Sequence, residues 1–459
     1  MKPRNQRRAP SQSAKPGHVQ PQLVQSQIIQ IEKPIYGGAF LARAEGKAIF
    51  VPLTLPSEQV RARITQSKRG YSTADPDEII AASPDRIVPA CPYFGPCGGC
   101  HYQHTNYQTQ LRFKQTILRE TLERGGVTTP AQIDVLAAEP WRYRNRIRLA
   151  FDAAGNPGYR ARRSNTVISV SECPIAAPLL IDSAKVIAEI ARRFGPILRP
   201  TEISLFCDAA QSALLASLSI AGPAEPSRAK TNARWDDFSQ AVHQQFPALL
   251  GAELVAQGQA AQLPRTLAQW GAPFLIYRAA GFDYRVDHGA FFQVNRFLVD
   301  ALAKRVTDSH KGSLAWDLYA GVGLFARRLT ASFNRVVAVE SAPSATRALT
   351  ANLKDTTGTT VCADTLGFLR RNCRQAHDAP SRPDLVVVDP PRTGLGPEIA
   401  ALLAQVAAPA LVYVSCDPAT LARDLRALIS SGYEIQSIAL ADLFPQTFHL
   451  ETVVGMRRA

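Results

Sequence analysis

The second half of this chain limits its fold more than any other feature. From about residue 279 onward, short apolar, β-rich runs alternate with helical patterns. A buried-strand pattern at 314–318 leads through a glycine turn into a helix from near Leu324, then a strand at 335–340 and a helix at 344–353. Apolar runs at 384–389 and 411–416 follow, each leading into a helical pattern, and 433–440 with 452–457 read as a closing hairpin. Strands alternating with helices lie parallel with helices on both faces, so the expected class is α/β with a doubly wound, Rossmann-like sheet. In such a sheet the carboxyl ends of the strands line the ligand crevice. Residues at those ends are the first candidates for chemistry.

The first strand ends in Asp317-Leu318-Tyr319-Ala320-Gly321-Val322-Gly323. Its two glycines let the backbone turn tightly and approach a ligand with no Cβ in between. Glu340 ends the next strand, 19 residues after Gly321, where a carboxylate can accept hydrogen bonds from a ribose diol. The third glycine of the dinucleotide pattern is missing, and no Lys-Ser or Lys-Thr pair follows the loop. A pyrophosphate ligand is therefore poorly supported. With Asp364 closing the next apolar stretch, S-adenosylmethionine (SAM) is the ligand these residues favour.

Two more strand ends, Asp389-Pro390-Pro391-Arg392 and Ser415-Cys416-Asp417-Pro418, would face the same crevice. A cysteine beside SAM has a specific use. Carbon 5 of a pyrimidine is a poor nucleophile, but a thiolate adding to carbon 6 creates an enolate whose carbon 5 can attack the sulfonium methyl. A base must then remove the carbon 5 proton so that the cysteine can leave. Glu451, in Phe448-His449-Leu450-Glu451, is the candidate base. The plain alternatives are a small buried strand-end residue for Cys416 and a helix cap for Asp389.

Upstream the pattern changes. Residues 1–22, rich in Pro, Gln, Ser and Arg, read as a disordered basic tail. Residues 23–85 break into short β-like runs between Gly, Pro and polar turns, as in a small barrel. A helix is expected at 107–124 and a linker or loop at 223–234. The 459 residues amount to about three domains of roughly 150. Net charge is +14, and residues 1–180 carry 24 basic against 13 acidic side chains, which points to a polyanionic partner. In the alternating run Trp141-Arg142-Tyr143-Arg144-Asn145-Arg146-Ile147-Arg148-Leu149, a strand would put the four arginines on one face. A phosphate backbone is their natural counterpart.

Cys91, Cys97 and Cys100 are separated by five and then two residues, with Gly98 and Gly99 free to wrap the chain around one centre. Cys173, in Glu172-Cys173-Pro174, is the candidate fourth thiolate. Zinc and an iron–sulfur cluster both take four thiolates, and spacing alone does not separate them. Cys207, Cys362 and Cys373 lack partners and read as structural. Eight cysteines are too sparse for a disulfide scaffold, so a reducing cytoplasm fits. No apolar run approaches the ~20 residues that cross a bilayer, and no apolar core follows the basic N-terminus as in a secretory signal.

Taken together, the cysteine triplet with Cys173, Tyr143-Arg144-Asn145-Arg146, Phe291-Phe292-Gln293-Val294-Asn295, the 317–323 turn, Asp389–Arg392, Ser415–Pro418 and His449–Glu451 form an ordered set. On these motifs the chain resembles the RNA uridine-5-methyltransferases that carry a TRAM domain and a [4Fe-4S] cluster. Within that family it is most like the bacterial group that makes 5-methyluridine in 23S ribosomal RNA. The resemblance implies a basic tail (1–22), an OB-like TRAM barrel that binds RNA (23–83), a central α+β domain with the cluster (84–278), and a SAM-dependent methyltransferase domain (279–459). It also implies Cys91, Cys97, Cys100 and Cys173 as ligands of a [4Fe-4S] cluster that is structural or RNA-positioning. Gln293, Tyr319, Glu340 and Asp389 would contact SAM or line its pocket, and Asp364 would reach the adenine. Cys416 would be the nucleophile and Glu451 the base, acting on a uridine flipped out of its stack. The implied protein is a cytoplasmic monomer acting on 23S ribosomal RNA, with the transfer RNA T-loop as the alternative. Ala320 stands where many relatives carry Cys, and Gln446 where a His is common; neither change removes a catalytic group. A cytosine-C5 enzyme would typically show Pro-Cys and Thr-Cys motifs, and an RNA chaperone would leave Cys416 and Glu451 without a role.

Overall fold

The computed structural model describes residues 26–195, 199–220, 228–256, 265–373 and 382–458. The tail expected over 1–22 lies outside these, as does 223–227 of the expected linker. Five strands, β1 (Ser26–Pro34), β2 (Ala39–Ala44), β3 (Lys47–Pro52), β4 (Gln59–Ser67) and β5 (Tyr71–Ala81), close into a barrel in the order β1-β2-β3-β5-β4. Alternation builds it: β4 turns Val60 and Ala62 inward and Arg61 and Arg63 outward. Closure leaves no open strand edge.

Helix α1 (Tyr107–Arg124) has the expected limits, and Asn106 caps it by accepting from Thr109 N. Phe113 packs into the barrel core, while Ile117, Leu118 and Leu122 enter the core of the C-terminal sheet, so α1 joins the two. The short strand β6 (Asp134–Leu136) also leaves the N-terminal half. It pairs in parallel with the strand at Tyr433–Ala441.

The central sheet contains β7 (Arg146–Phe151), β8 (Pro157–Arg160), β9 (Val167–Ser169), β10 (Pro200–Cys207), β11 (Leu214–Ile220), β12 (Leu249–Ala256) and β13 (Arg265–Gly271), in the order β13-β12-β11-β10-β7-β8-β9. Helices α2 (Pro178–Phe194) and α3 (Arg228–Gln245) pack on it through Ile187, Trp235 and Phe238. Residues 228–234 of the expected linker are therefore helical. The arginine run also needs correcting. Tyr143, Asn145, Ile147 and Leu149 are buried as the alternation requires, but the strand begins only at Arg146 and Arg142 has φ 52°. The Arg146 guanidinium lies over the Phe206 ring, 4.3 Å from its centroid, and Arg144 Nε donates to Arg146 O. Stacking on an aromatic face takes Arg146 out of the expected phosphate-facing row.

The C-terminal part opens with a hairpin of β14 (Phe274–Ala279) and β15 (Phe282–Asp287) and helix α4 (Val299–Thr307). Then follow β16 (Gly312–Leu318), α5 (Leu324–Leu329), β17 (Phe333–Glu340), α6 (Pro343–Asn352), β18 (Gly358–Cys362), α7 (Thr365–Asn372) and β19 (Leu385–Val388). The chain ends with α8 (Gly396–Val406), β20 (Ala410–Ser415), α9 (Pro418–Ser430), β21 (Tyr433–Ala441) and β22 (Glu451–Arg458). The sheet order is β18-β17-β16-β19-β20-β22-β21-β6. Strands β16 to β20 are parallel and β22 is antiparallel to β20. All four residues of β19 are buried, as befits a parallel strand covered on both faces. Apolar residues of α4, α5 and α6 pack on one face and those of α1, α7, α8 and α9 on the other. The expected α/β class and barrel are both present. Among the described residues no helix is long and apolar enough to cross a membrane.

Candidate active site

At the carboxyl end of β16 the chain turns through Tyr319 (φ 65°), Gly321 (φ 57°) and Gly323 (φ 93°). A Cβ on Gly321 would project into open space, whereas one on Gly323 would meet Leu349 Cδ1 at 2.6 Å. The first glycine thus serves the turn, and the second also serves close packing on α6. Glu340 grips this turn from the end of β17: its Oε2 accepts from Gly321 N at 2.9 Å, and its Oε1 from Ser341 N and Ala342 N. Asp317 lies beneath. Its Oδ2 accepts from Ala326 N at 2.8 Å, its Oδ1 is buried without a partner, and burial pushes its carboxyl up to about 8. Asp389 and Glu340 push it in the same direction. A pocket of carboxylates with one orphaned oxygen suits a cationic ligand, which fits SAM with its sulfonium and ammonium charges. Asp364 caps α7 through Gly367 N at 2.7 Å and stands close enough to Tyr319 to act on its phenol. Gln293 is placed by another motif: Asn145 Nδ2 donates to Gln293 O and Asn145 N to Val294 O. The Tyr143–Arg146 and Phe291–Asn295 segments therefore hold each other.

Three adjacent strands bring the candidate reaction residues together. Asp389 follows β19, Cys416 follows β20, and Glu451 opens β22. Because β22 runs antiparallel to β20, with Ser415 opposite Thr452, the start of β22 falls at the same sheet edge as the end of β20. Burial raises the Cys416 thiol to about 11, helped by the Glu451 and Asp389 carboxylates and opposed by the Arg392 guanidinium. Burial raises Asp389 to about 7 and holds Glu451 well above the usual carboxylate range, with Asp389 adding to the latter. The thiol is therefore protonated at rest, beside two carboxyls that burial likewise biases toward the protonated form.

The four cysteines expected to act as ligands line one cavity, walled also by Tyr93, Phe94, Tyr159 and Val170. Cys97 N donates to Tyr93 O, Gly99 N to Cys97 Sγ and Gly98 N to Arg160 O, folding the loop around the thiols. Burial raises Cys100 to about 12, and the Cys173, Cys97 and Cys91 thiols push in the same direction. Among the described residues no group of three or more His, Cys, Asp or Glu closes tightly enough to hold a metal ion. Cys207 and Cys373 are buried and Cys362 is exposed, all as free thiols.

Comparison with known proteins shows the family. Residues 380–459 match the tRNA (Uracil-5-)-methyltransferase family and residues 22–76 match the TRAM domain. An uncharacterised RNA methyltransferase of Aquifex aeolicus is 30% identical over 433 residues, 93% of this chain and 97% of that protein. The 23S rRNA (uracil(1939)-C(5))-methyltransferase RlmD of Shewanella amazonensis is 30% identical over 452 residues, 95% of this chain and 97% of that protein. The chain belongs to the RNA uracil-5-methyltransferase family. In fold it is similar to the Pyrococcus abyssi tRNA (uracil-54, C5)-methyltransferase crystallised with S-adenosyl-L-homocysteine, at TM-score 0.72 and 21% identity over 94% of this chain and 100% of that one. It is a SAM-dependent RNA uracil-C5 methyltransferase with an N-terminal TRAM barrel.

Several contacts around this methyltransferase site were not foreseen from the sequence. Arg392 Nη2 donates to His449 Nδ1 at 3.1 Å, and burial with that guanidinium lowers His449 to about 3, so the ring is neutral and accepts. The segment leading to Glu451 is clamped from α1. Lys114 Nζ donates to Asp442 Oδ1 at 2.5 Å and to Phe444 O at 2.9 Å, with Lys114 and Asp442 both fully buried. Gln110 and Gln446 exchange two hydrogen bonds, and His101 N and Tyr102 N donate to Gln446 O. A buried lysine in a helix was a visible signal only in hindsight, since its partner lies 328 residues away.

Proposed function

We propose that the enzyme methylates carbon 5 of a uridine in 23S ribosomal RNA through a covalent bond between Cys416 Sγ and uracil C6. The observation that carries this is the antiparallel pairing of β20 with β22, which sets a thiol beside a buried carboxylate at the mouth of the sheet. Attack requires loss of the thiol proton, and the neighbouring carboxylates are the acceptors at hand. As Sγ bonds to C6, the C5=C6 electrons move onto the C4 oxygen as an enolate. SAM, when bound, supplies the methyl group that carbon 5 takes. Glu451 then accepts the C5 proton, the double bond re-forms and the C6–S bond breaks, returning the cysteine. Glu451 suits that task because burial raises the proton affinity of its carboxylate, which makes it a stronger base than an exposed one. Gln293, Tyr319, Glu340, Asp364 and Asp389 are the residues we assign to the SAM pocket.

The four cavity cysteines are assigned to a [4Fe-4S] cluster. What supports this is that all four cysteines line one cavity, together with the likeness in cysteine spacing to the cluster-bearing family. When bound, the cluster supplies a rigid cross-link between residues 91–100 and Cys173. The protein would act as a cytoplasmic monomer, with 23–83 and 84–278 gripping RNA and 279–459 carrying the chemistry. Near end-to-end likeness to RlmD proteins at 30% and 31% identity supports 23S ribosomal RNA over transfer RNA.

RNA bearing 5-fluorouridine at the target should trap the adduct, because fluorine cannot leave as a cation. With SAM present we expect a covalent protein–RNA band that Cys416→Ala loses. An equally strong band in that variant removes the cysteine from the mechanism. Mapping 5-methyluridine in ribosomal and transfer RNA, with and without the gene, decides the substrate; a loss confined to the T-loop selects the alternative.

A further inference from the structure

The family reading asks the barrel only to grip RNA, yet its first turn reaches the reaction site. Between β1 and β2 the chain passes through Tyr36, Gly37 (φ 103°) and Gly38 (φ 84°). Gly38 is pressed against the catalytic segment: a Cβ there would lie 2.8 Å from His101 Cδ2 and 3.0 Å from Phe448 Cδ1. Only glycine allows both that backbone and that approach. The turn seats Tyr36 edge-on against Phe448, with centroids 5.6 Å apart. Tyr36 Oη donates to Cys416 O at 3.3 Å. Its phenol lies among Asp417, Arg392 and Cys416, and burial with the Asp417 charge keeps it protonated, so it remains a donor.

Cys416 O belongs to the peptide group that joins the cysteine to Asp417. On its far side that peptide is tied to α9, because Asp417 Oδ1 accepts from Ala419 N and Thr420 N at 3.0 Å each. The peptide N–H donates to Ser415 Oγ at 3.3 Å, and Tyr36 supplies the tie to its carbonyl. We propose that Tyr36 is a positioning residue for the reaction: the barrel fixes the peptide plane after Cys416 and so aims its Sγ at the uracil ring. This rests on the assignment of Cys416 as nucleophile. The barrel is then part of the active site, and RNA bound without the barrel seated would meet a misdirected thiol.

The test is Tyr36→Phe, which keeps the ring and removes only the hydroxyl. One neutral hydrogen bond corresponds to about a 3- to 10-fold loss. The expected result is a fall of that size in kcat and in the single-turnover rate of adduct formation on 5-fluorouridine RNA. KM for RNA, SAM affinity and melting temperature should stay close to those of the parent enzyme. A wild-type rate in Tyr36→Phe overturns the proposal. So does a loss that saturating RNA restores, which would make Tyr36 an RNA contact. Cys416→Ala runs alongside: no adduct there means the nucleophile assignment stands whatever Tyr36→Phe does, whereas an adduct there sinks that assignment and the positioning role together.

Discussion

Cys416 and Cys100 are the same side chain in two settings, and burial raises both thiols, to about 11 and about 12. What comes next to burial differs. Around Cys416 it is two carboxylates, Glu451 and Asp389, with one guanidinium pulling the other way. Around Cys100 it is a hydrogen bond with the Gln103 side chain, which lowers the thiol, and then three more thiols, which raise it. A thiol among carboxylates can give up its proton, add to a ring and be released when a base takes another proton. Thiols gathered around a shared cavity act chiefly on one another, with Glu172 the one carboxylate in the cavity wall. They are suited to a cationic centre that would draw all of them to the thiolate form. Residue type says little here, and the second neighbour decides.

That contrast can be broken in order of expected size. Cys416→Ala should abolish methylation, by at least about 10⁴-fold, while iron bound per chain stays unchanged; loss of iron would mean the two thiol sites are not separate. Glu451→Gln should slow turnover by about 10²–10⁴-fold and let the protein–RNA adduct accumulate on ordinary uridine, visible on a denaturing gel. A slow variant without adduct would move Glu451 to the step before bond formation. Cys173→Ser should strip the iron from anaerobically purified protein yet leave SAM affinity within about twofold, because the SAM residues lie at the other sheet. Stoichiometric zinc in the colourless parent protein would overturn the cluster assignment.

A separate test, of stability rather than rate, concerns Asp317, whose carboxyl in the folded protein sits near 8 against an ordinary 3.8. Its sign is fixed by linkage. The raised value means the folded state holds a proton that the unfolded chain has lost, so the contribution is full below pH 4 and fades as pH rises through 8. Without SAM, Asp317→Asn should flatten the decline in unfolding free energy over that range, removing up to about 1.4 kcal/mol per pH unit. Urea unfolding at pH 5 and pH 8 measures it.

The sheet was readable because a parallel strand covered on both faces must be an apolar run, as Leu385–Val388 is. The limits of α1 were readable from its period. The arginine run was half readable. Its alternation is real, but period says nothing about what lies across the strand, and Phe206 came from β10. Cys416 and Glu451 stood out as motifs, yet their meeting depended on β22 inserting antiparallel beside β20. Tyr36 gave no signal at all: 380 residues separate it from Cys416, and only the docking of barrel on sheet joins them.

The three residues of β6 have a consequence for how the enzyme is made. They complete the last sheet by pairing with Ala439, Leu440 and Ala441, and Leu136 O accepts from Asp442 N just before the catalytic segment. Leu136 precedes Tyr433 by 297 residues, a stretch that takes roughly 15–60 s to synthesise at about 5–20 residues per second. Throughout that time β6 and the apolar face of α1 must wait on the ribosome without their partners. The barrel can close early, but the reaction site cannot assemble until β21 and β22 emerge. Nascent chains stalled short of residue 451 should therefore bind RNA before they can modify it.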